Sequence, residues 1–258
     1  MKALVIGTCF LMLCVAASAD SYFGYGGYYG LSGYNGDNLW RTTVNWSASP
    51  AADGANTWIG DGYGYGAFGR DCIIDATTIA VDDYTNVGYQ ASSLGNLTMT
   101  GGSLTTSYLN LGNSGTGTFT MSNGTVIDQG QTRLGQSGGT GKLNINGGSF
   151  TTDAVWLYNG EINLYGGSLD ISGFGFYGDF ANMKFDIKGN GVFTWTGNHK
   201  GTLEYYADPS VGVIFTSGTG TIDISEADGL TTMKIVPEPA TLTLLATGFA
   251  LLARKRKN

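Results

Sequence analysis

The chain has 258 residues, with 13 Lys and Arg against 20 Asp and Glu, a formal charge of −7 at neutral pH. Gly accounts for 43 residues, about 17% against a usual ~7%, yet there are only 4 Pro and no Gly-x-y period, so collagen is excluded and the glycines serve turns. The acidic balance argues against nucleic acid and anionic membrane surfaces as partners, because both are bound through basic patches.

The N-terminus reads as an export signal. Lys2 precedes an apolar run, residues 3–15, which is followed by Ala17-Ser18-Ala19. A basic start, an apolar stretch and a small-x-small site predict a signal peptide over 1–19, cut after Ala19 by signal peptidase. Cys14 follows Leu11-Met12-Leu13 and lacks the small preceding residue that lipid attachment needs. Cys9 and Cys14 leave with the signal, so Cys72 is the one remaining thiol, unable to pair internally and expected to be buried. Lys2 and four C-terminal cations make up five of the thirteen basic residues, so the remaining body carries about −12.

Residues 20–70 form a Tyr/Gly-rich segment and a cap. Tyr22–Gly30 and Gly33–Gly36 admit two readings, a flexible adhesive arm or an N-terminal strand whose rings cover the first coil.

Residues 71–235 repeat. Gly95-Asn-Leu-Thr-Met-Thr-Gly-Gly102 aligns with Gly117–Gly124, Gly141–Gly148 and Gly160–Gly167. A second ladder follows each turn, at Ser103-Leu104, Thr125-Val126, Ser149-Phe150 and Ser168-Leu169. A third runs through Leu109/Leu111, Thr132/Leu134 and Val155/Leu157. Self-similarity at about 20 residues indicates a solenoid. Within each copy, apolar Leu97/Met99, Phe119/Met121, Leu143/Ile145 and Ile162/Leu164 alternate with Thr or Asn. Period two places the apolar set inside and the polar set outside. The Gly-Gly or Asn-Gly pair then turns the chain. The expected fold is all-β, a single-stranded right-handed parallel β-helix with two or three short strands per coil. A β-sandwich is the competing architecture. Cys72–Val81 reads as an opening rung, and Lys184–Gly189 and Thr221–Ser225 as degenerate later copies.

The tail runs Val236-Pro237-Glu238-Pro239, then apolar Ala240–Ala253, then Arg254-Lys255-Arg256-Lys257-Asn258. The apolar stretch is 14 residues, about 21 Å of helix against a bilayer core of about 30 Å. It predicts a short hydrophobic helix that enters the inner membrane transiently. Arg254, Lys255, Arg256 and Lys257 hold the cytoplasmic side and leave the body outside. Proline at 237 and 239 keeps the backbone around Glu238 out of helix and open to a peptidase.

Chemistry-bearing constellations are sparse. His199, the one histidine, sits in a turn-like stretch without a Ser or Cys in nucleophile context. One His and one Cys are too few for zinc. Two Gly-x-Gly-x-x-Gly spellings, at 64–69 and 173–178, lack the strand-to-helix context of a nucleotide site. Gly138–Leu143 places Leu143 where a calcium-binding repeat needs Asp. Asp61 and the Asp82-Asp83 pair could hold calcium or form solvated acidic turns. Asp75, Asp82, Asp83, Asp186 and Asp223 are the acids available to a polysaccharide-cleaving β-helix, but neighbours on a strand point to opposite faces.

The tail of residues 236–258 resembles the PEP-CTERM sorting signal of Gram-negative bacteria. That resemblance implies recognition by an exosortase-type processing enzyme at Pro237, Glu238 and Pro239, with Arg254–Lys257 orienting the segment. The repeats resemble the Gly-x-Leu-x-Ile-x-Gly-Gly units of autotransporter-associated and PEP-CTERM β-helix proteins. Trp40, Asn45-Trp46 and Trp58-Ile59-Gly60 resemble the N-terminal cap of those proteins. Together these features predict a non-enzymatic exported protein of the cell surface or extracellular matrix, without cofactor or metal, whose Thr/Asn and Tyr/Trp side chains offer hydrogen bonds and stacking faces to extracellular polysaccharide. A polysaccharide lyase or hydrolase and an adhesin-like assembly unit are the alternatives.

Overall fold

Leu97, Phe119, Leu143 and Ile162 lie directly above one another, each fully buried. This column is the axis on which the fold is built. The computed structural model describes residues 21–22, 56–60, 71–178 and 181–238. In chain order the strands are β1 (Ser21–Tyr22), β2 (Asn56–Ile59), β3 (Asp71–Ile74), β4 (Ile79–Val87), β5 (Leu94–Met99) and β6 (Ser103–Leu111). They continue with β7 (Thr116–Met121), β8 (Thr125–Leu134), β9 (Thr140–Ile145), β10 (Ser149–Leu157), β11 (Gly160–Leu164) and β12 (Ser168–Gly178). The C-terminal part holds β13 (Met183–Ile187), β14 (Val192–Thr196), helix α1 (Lys200–Ala207), β15 (Ile214–Phe215), β16 (Thr221–Ala227) and β17 (Leu230–Val236).

The strands form a β-solenoid of about five turns. One sheet runs β15-β13-β11-β9-β7-β5-β3 and the other β1-β2-β4-β6-β8-β10-β12-β14-β17-β16. Each turn contributes one short strand to the first sheet and one long strand to the second. The second and third sequence ladders are therefore two halves of one strand. Register follows the repeat residue for residue: Gly95, Gly117, Gly141 and Gly160 pair in succession, as do Leu104, Val126, Phe150 and Leu169.

A bulge divides the long strands. Pairing slips between Thr106 and Tyr108, and again between Thr152 and Ala154. The inward phase flips there: Leu104 and Thr106 point in, then Leu109 and Leu111. A bulge frees backbone groups from the ladder, and buried ones need partners. Thr106 Oγ1 donates toward the carbonyls of Asp83 and Tyr108, at 3.3 and 2.9 Å, and Thr152 Oγ1 toward those of Gly130 and Ala154, at 3.3 and 3.1 Å. The inner side of the bend is thus a polar column, Asp82, Thr106, Asp128 and Thr152, inside an apolar core.

The far corner of the coil is made by a second set of glycines. Gly112 has φ +65°, and a Cβ there would lie 1.9 Å from the Thr140 carbonyl oxygen of the next coil. Only glycine combines that backbone with that approach.

Two expectations need correction. Thr221–Ser225 is not a further parallel rung: β16 pairs antiparallel with β17, and β17 antiparallel with β14. Asp228 and Gly229, at φ +53° and +72°, make the two-residue turn between them, a hairpin signature that outweighs the strand alternation. Helix α1 interrupts the coil just before, anchored by buried Leu203 and Tyr206. At the other end, Trp58-Ile59 is itself a rung, parallel to β4, and Ser21-Tyr22 pairs beside it, so the stack begins upstream of residue 71. Trp40, Asn45-Trp46, the rest of the Tyr/Gly-rich stretch and the signal peptide with Ala17 and Ala19 lie outside the described residues.

Candidate functional site

The sorting motif starts at the last residue of β17. β17 runs to Val236, which pairs with Thr221, and Pro237 ends the strand because it has no N–H to give the ladder. Pro237 and Glu238 are exposed. Pro239, Ala240–Ala253 and Arg254–Lys257 lie outside the described residues. Among the described residues, no helix is long and apolar enough to cross a membrane.

The acids expected to serve catalysis or calcium are dispersed. Asp82 is not in a solvated turn: it sits within β4, only 4% exposed, accepting from Thr57 Oγ1 at 2.8 Å and Thr85 Oγ1 at 2.9 Å. Burial outweighs these bonds and pushes its carboxyl up to about 7. Asp128, held by Thr132 Oγ1 at 2.7 Å and Gly130 N–H at 3.1 Å, is pushed by burial up to about 6. Asp186 accepts from Ser217 N–H, Ser217 Oγ and Tyr165 OH, which ties a C-terminal loop to the short sheet. Asp75 closes a turn with Thr77 and Thr78, and Asp223 lies opposite Lys234 in the hairpin. Asp61 lies outside the described residues. No three metal-ligating side chains gather among those described. His199 stacks on Trp195, ring centres 3.7 Å apart, with Nε2 3.1 Å from the Thr196 carbonyl oxygen. Gly173–Gly178 falls within β12, so that glycine spelling opens no helix. Cys72 is fully buried, and burial pushes its thiol well above its ordinary value, which suits packing and not reactivity.

A surface that no sequence motif announced lies on the outer face of the long sheet, beyond the bulge. Stacking puts Trp58, Asn86, Asn110, Arg133, Trp156 and Tyr177 in one row. Tyr84, Tyr108 and Gln131 form the row beside it. Tyr84 and Tyr108 stack at 4.8 Å, Trp156 and Tyr177 at 4.9 Å, and Tyr89 meets Trp58 edge-on at 4.9 Å. The N-terminal end of these rows encloses a cleft of about 200 Å³. Its Asn86 and Asn110 are buried, and Asn110 Nδ2 donates to Asn86 Oδ1 at 2.8 Å. Planar rings beside fixed amides suit a ligand with apolar faces and hydroxyl edges. Along each row every side chain comes from a different coil, so only the period of the repeat hinted at the alignment.

Residues 236–257 match the PEP-CTERM protein-sorting motif. No curated protein and no solved structure matches the chain. The motif marks an exported protein that carries a C-terminal sorting tail and is handled by an exosortase-type processing enzyme.

Proposed function

We propose that the chain is a non-enzymatic exported solenoid that is trimmed at its C-terminus and displayed at the cell surface or in extracellular matrix, where its long sheet contacts exopolysaccharide. In this reading signal peptidase removes 1–19 and the inner membrane holds Ala240–Ala253 briefly. The exosortase-type enzyme then acts near Pro237-Glu238-Pro239. The observation that carries the reading is the junction: the matched motif begins at Val236, the last residue of β17, and Pro237 and Glu238 stand exposed beside it. β17 is gripped between β14 and β16, so a cut after Val236 removes no residue of the stack. The reading without enzymatic activity is supported by the placement of Asp75, Asp82 and Asp186, which are engaged separately in a turn, the inner bend and a C-terminal loop. The aromatic rows support contact with sugar rings.

Intact mass analysis of the protein from its native cells tests the first part. The expected C-terminus lies within 236–239 when the exosortase is intact, and at Asn258 when it is deleted. A surface protein that retains Asn258 in exosortase-positive cells would refute sorting by this tail. Retention of the purified chain on exopolymer from the same cells tests the second part, and passage through it unbound would refute the polysaccharide contact.

A further inference from the structure

Arg133 stands out on the aromatic face. It is half-buried, its guanidinium lies 5.0 Å from the centre of the Tyr108 ring, and its Nε and Nη2 both donate to Gln131 Oε1, at 3.0 and 2.8 Å. The tether is a neutral amide. No carboxylate lies within ion-pair distance of Arg133 among the described residues, on a chain where acids outnumber bases. Among the described residues the guanidinium is therefore fixed in direction, meets no carboxylate, and has no partner at Nη1. A planar, pre-oriented guanidinium is suited to a carboxylate. Its neighbours are stacking rings on both sides: the cleft with Trp58 and Tyr84 toward one end, and Trp156 in the adjoining strand toward the other.

We propose that this cleft is an acidic-sugar subsite, in which Arg133 pairs with the carboxylate of a uronate residue while Tyr84 and Trp156 stack on the pyranose rings flanking it. The inference rests on the exopolysaccharide contact proposed above and names its chemical class. The row from Trp58 to Tyr177 crosses five strand spacings, about 24 Å, so it accommodates several linked sugars and not one. The acidic body repels a densely charged polyanion at long range, which favours a chain whose uronates are interspersed with neutral sugars. Asn86 and Asn110 line the floor of the same cleft and face the hydroxyl edges of such rings.

The test titrates the full chain with a tetrasaccharide of three neutral hexoses and one internal uronate, and with its carboxyl-reduced neutral counterpart, following tryptophan fluorescence. The acidic tetramer is expected to bind at least tenfold more tightly, and the advantage should shrink with added salt. Arg133→Gln should bring the ratio of the two affinities to about one, whatever it does to the neutral tetramer, because only the acidic sugar offers the guanidinium a carboxylate. Tyr84→Ala should weaken both sugars, with circular dichroism confirming that each variant folds. Equal binding of the two tetramers, or an unchanged preference in Arg133→Gln, overturns the acidic subsite and leaves the glycan reading standing. Binding of neither tetramer overturns the subsite, and retention on native exopolymer then decides the broader reading separately. Equal competition by a polyglutamate peptide overturns the assignment to sugar.

Discussion

Asp82 makes stability depend on pH in a direction opposite to that of most carboxylates. Its folded pKa is about 7, because burial at the inner bend penalises the charge more than Thr57 and Thr85 favour it. An unfolded Asp titrates near 3.9. The folded state therefore keeps its proton longer, and the stabilising contribution is complete below about pH 4 and lost as pH rises to about 7. Linkage at about 1.36 kcal/mol per pH unit gives a cost of about 1.5 kcal/mol at pH 5 and about 4 kcal/mol at pH 8. Asp128, at about 6, adds a further loss of about 1.4 kcal/mol over the same interval. With a urea m-value of ~3 kcal/mol/M, the midpoint should fall by more than about 1 M between pH 5 and pH 8. Asp82→Asn keeps the shape of the protonated acid: one oxygen accepts from Thr57, and the amide donates to Thr85 Oγ1, which can pass its own proton to Thr106 Oγ1 at 3.3 Å. The variant should be the more stable chain at pH 8, and its midpoint should fall by only about 0.5 M over the interval. Urea titrations of both proteins at pH 5, 6.5 and 8 decide the matter. Equal slopes with pH in wild type and variant would refute a protonated Asp82 inside the bend.

Three further outcomes are expected. Leu143 is fully buried between Phe119 and Ile162, so Leu143→Asp should cost several kcal/mol and unfold the stack, whereas Asn144→Asp loses only the bond to Thr120 Oγ1 and should cost about 1 kcal/mol or less; similar urea midpoints would contradict the inward register. Gly112→Ala should cost about 2–4 kcal/mol, since it adds positive-φ strain to a clash with the Thr140 carbonyl, while Gly138→Ala, at φ +87° with open space around it, should cost about 1 kcal/mol by thermal unfolding. A broad polysaccharide panel should show no turnover by the purified chain, and activity abolished by replacing one of Asp75, Asp82, Asp83, Asp186 or Asp223 would reverse the non-enzymatic reading.

Much of the stack was legible because one physical rule repeats. Alternation at Leu97/Met99, Phe119/Met121, Leu143/Ile145 and Ile162/Leu164, closed each time by Gly-Gly or Asn-Gly, predicts both the strands and their register. The bend was not legible, because a bulge reverses which residues face inward. Thr106 and Thr152 keep the inward phase of Leu104 and Phe150, but only the bulge shows which carbonyls their hydroxyls satisfy, and Asp82-Asp83 looks like a turn until Thr57 and Thr85 are seen to hold Asp82 inside the bend. The C-terminal hairpin carried its signal openly in Asp228-Gly229, but the alternation of Thr221–Ser225 resembles a rung. The aromatic face could not be read locally at all. Tyr84, Tyr108, Arg133, Trp156 and Tyr177 are some twenty residues apart, and they become neighbours only after the coils are stacked in register.

The tail and the aromatic face occupy different stretches of one sheet, and this lets the two proposed activities coexist. β17 carries the tail, and β14 separates it from β12, where the aromatic row ends at Tyr177. From there the row runs toward β2, so it covers a band about 10 to 34 Å from the tail-bearing strand at ordinary strand spacing. In the proposed scheme a membrane-held tail anchors the solenoid at β17 and leaves the aromatic band clear of the junction. No residue of that band belongs to the tail of residues 236–258. In the proposed scheme a sugar chain bound along the rows need not be released for a peptidase to reach Glu238.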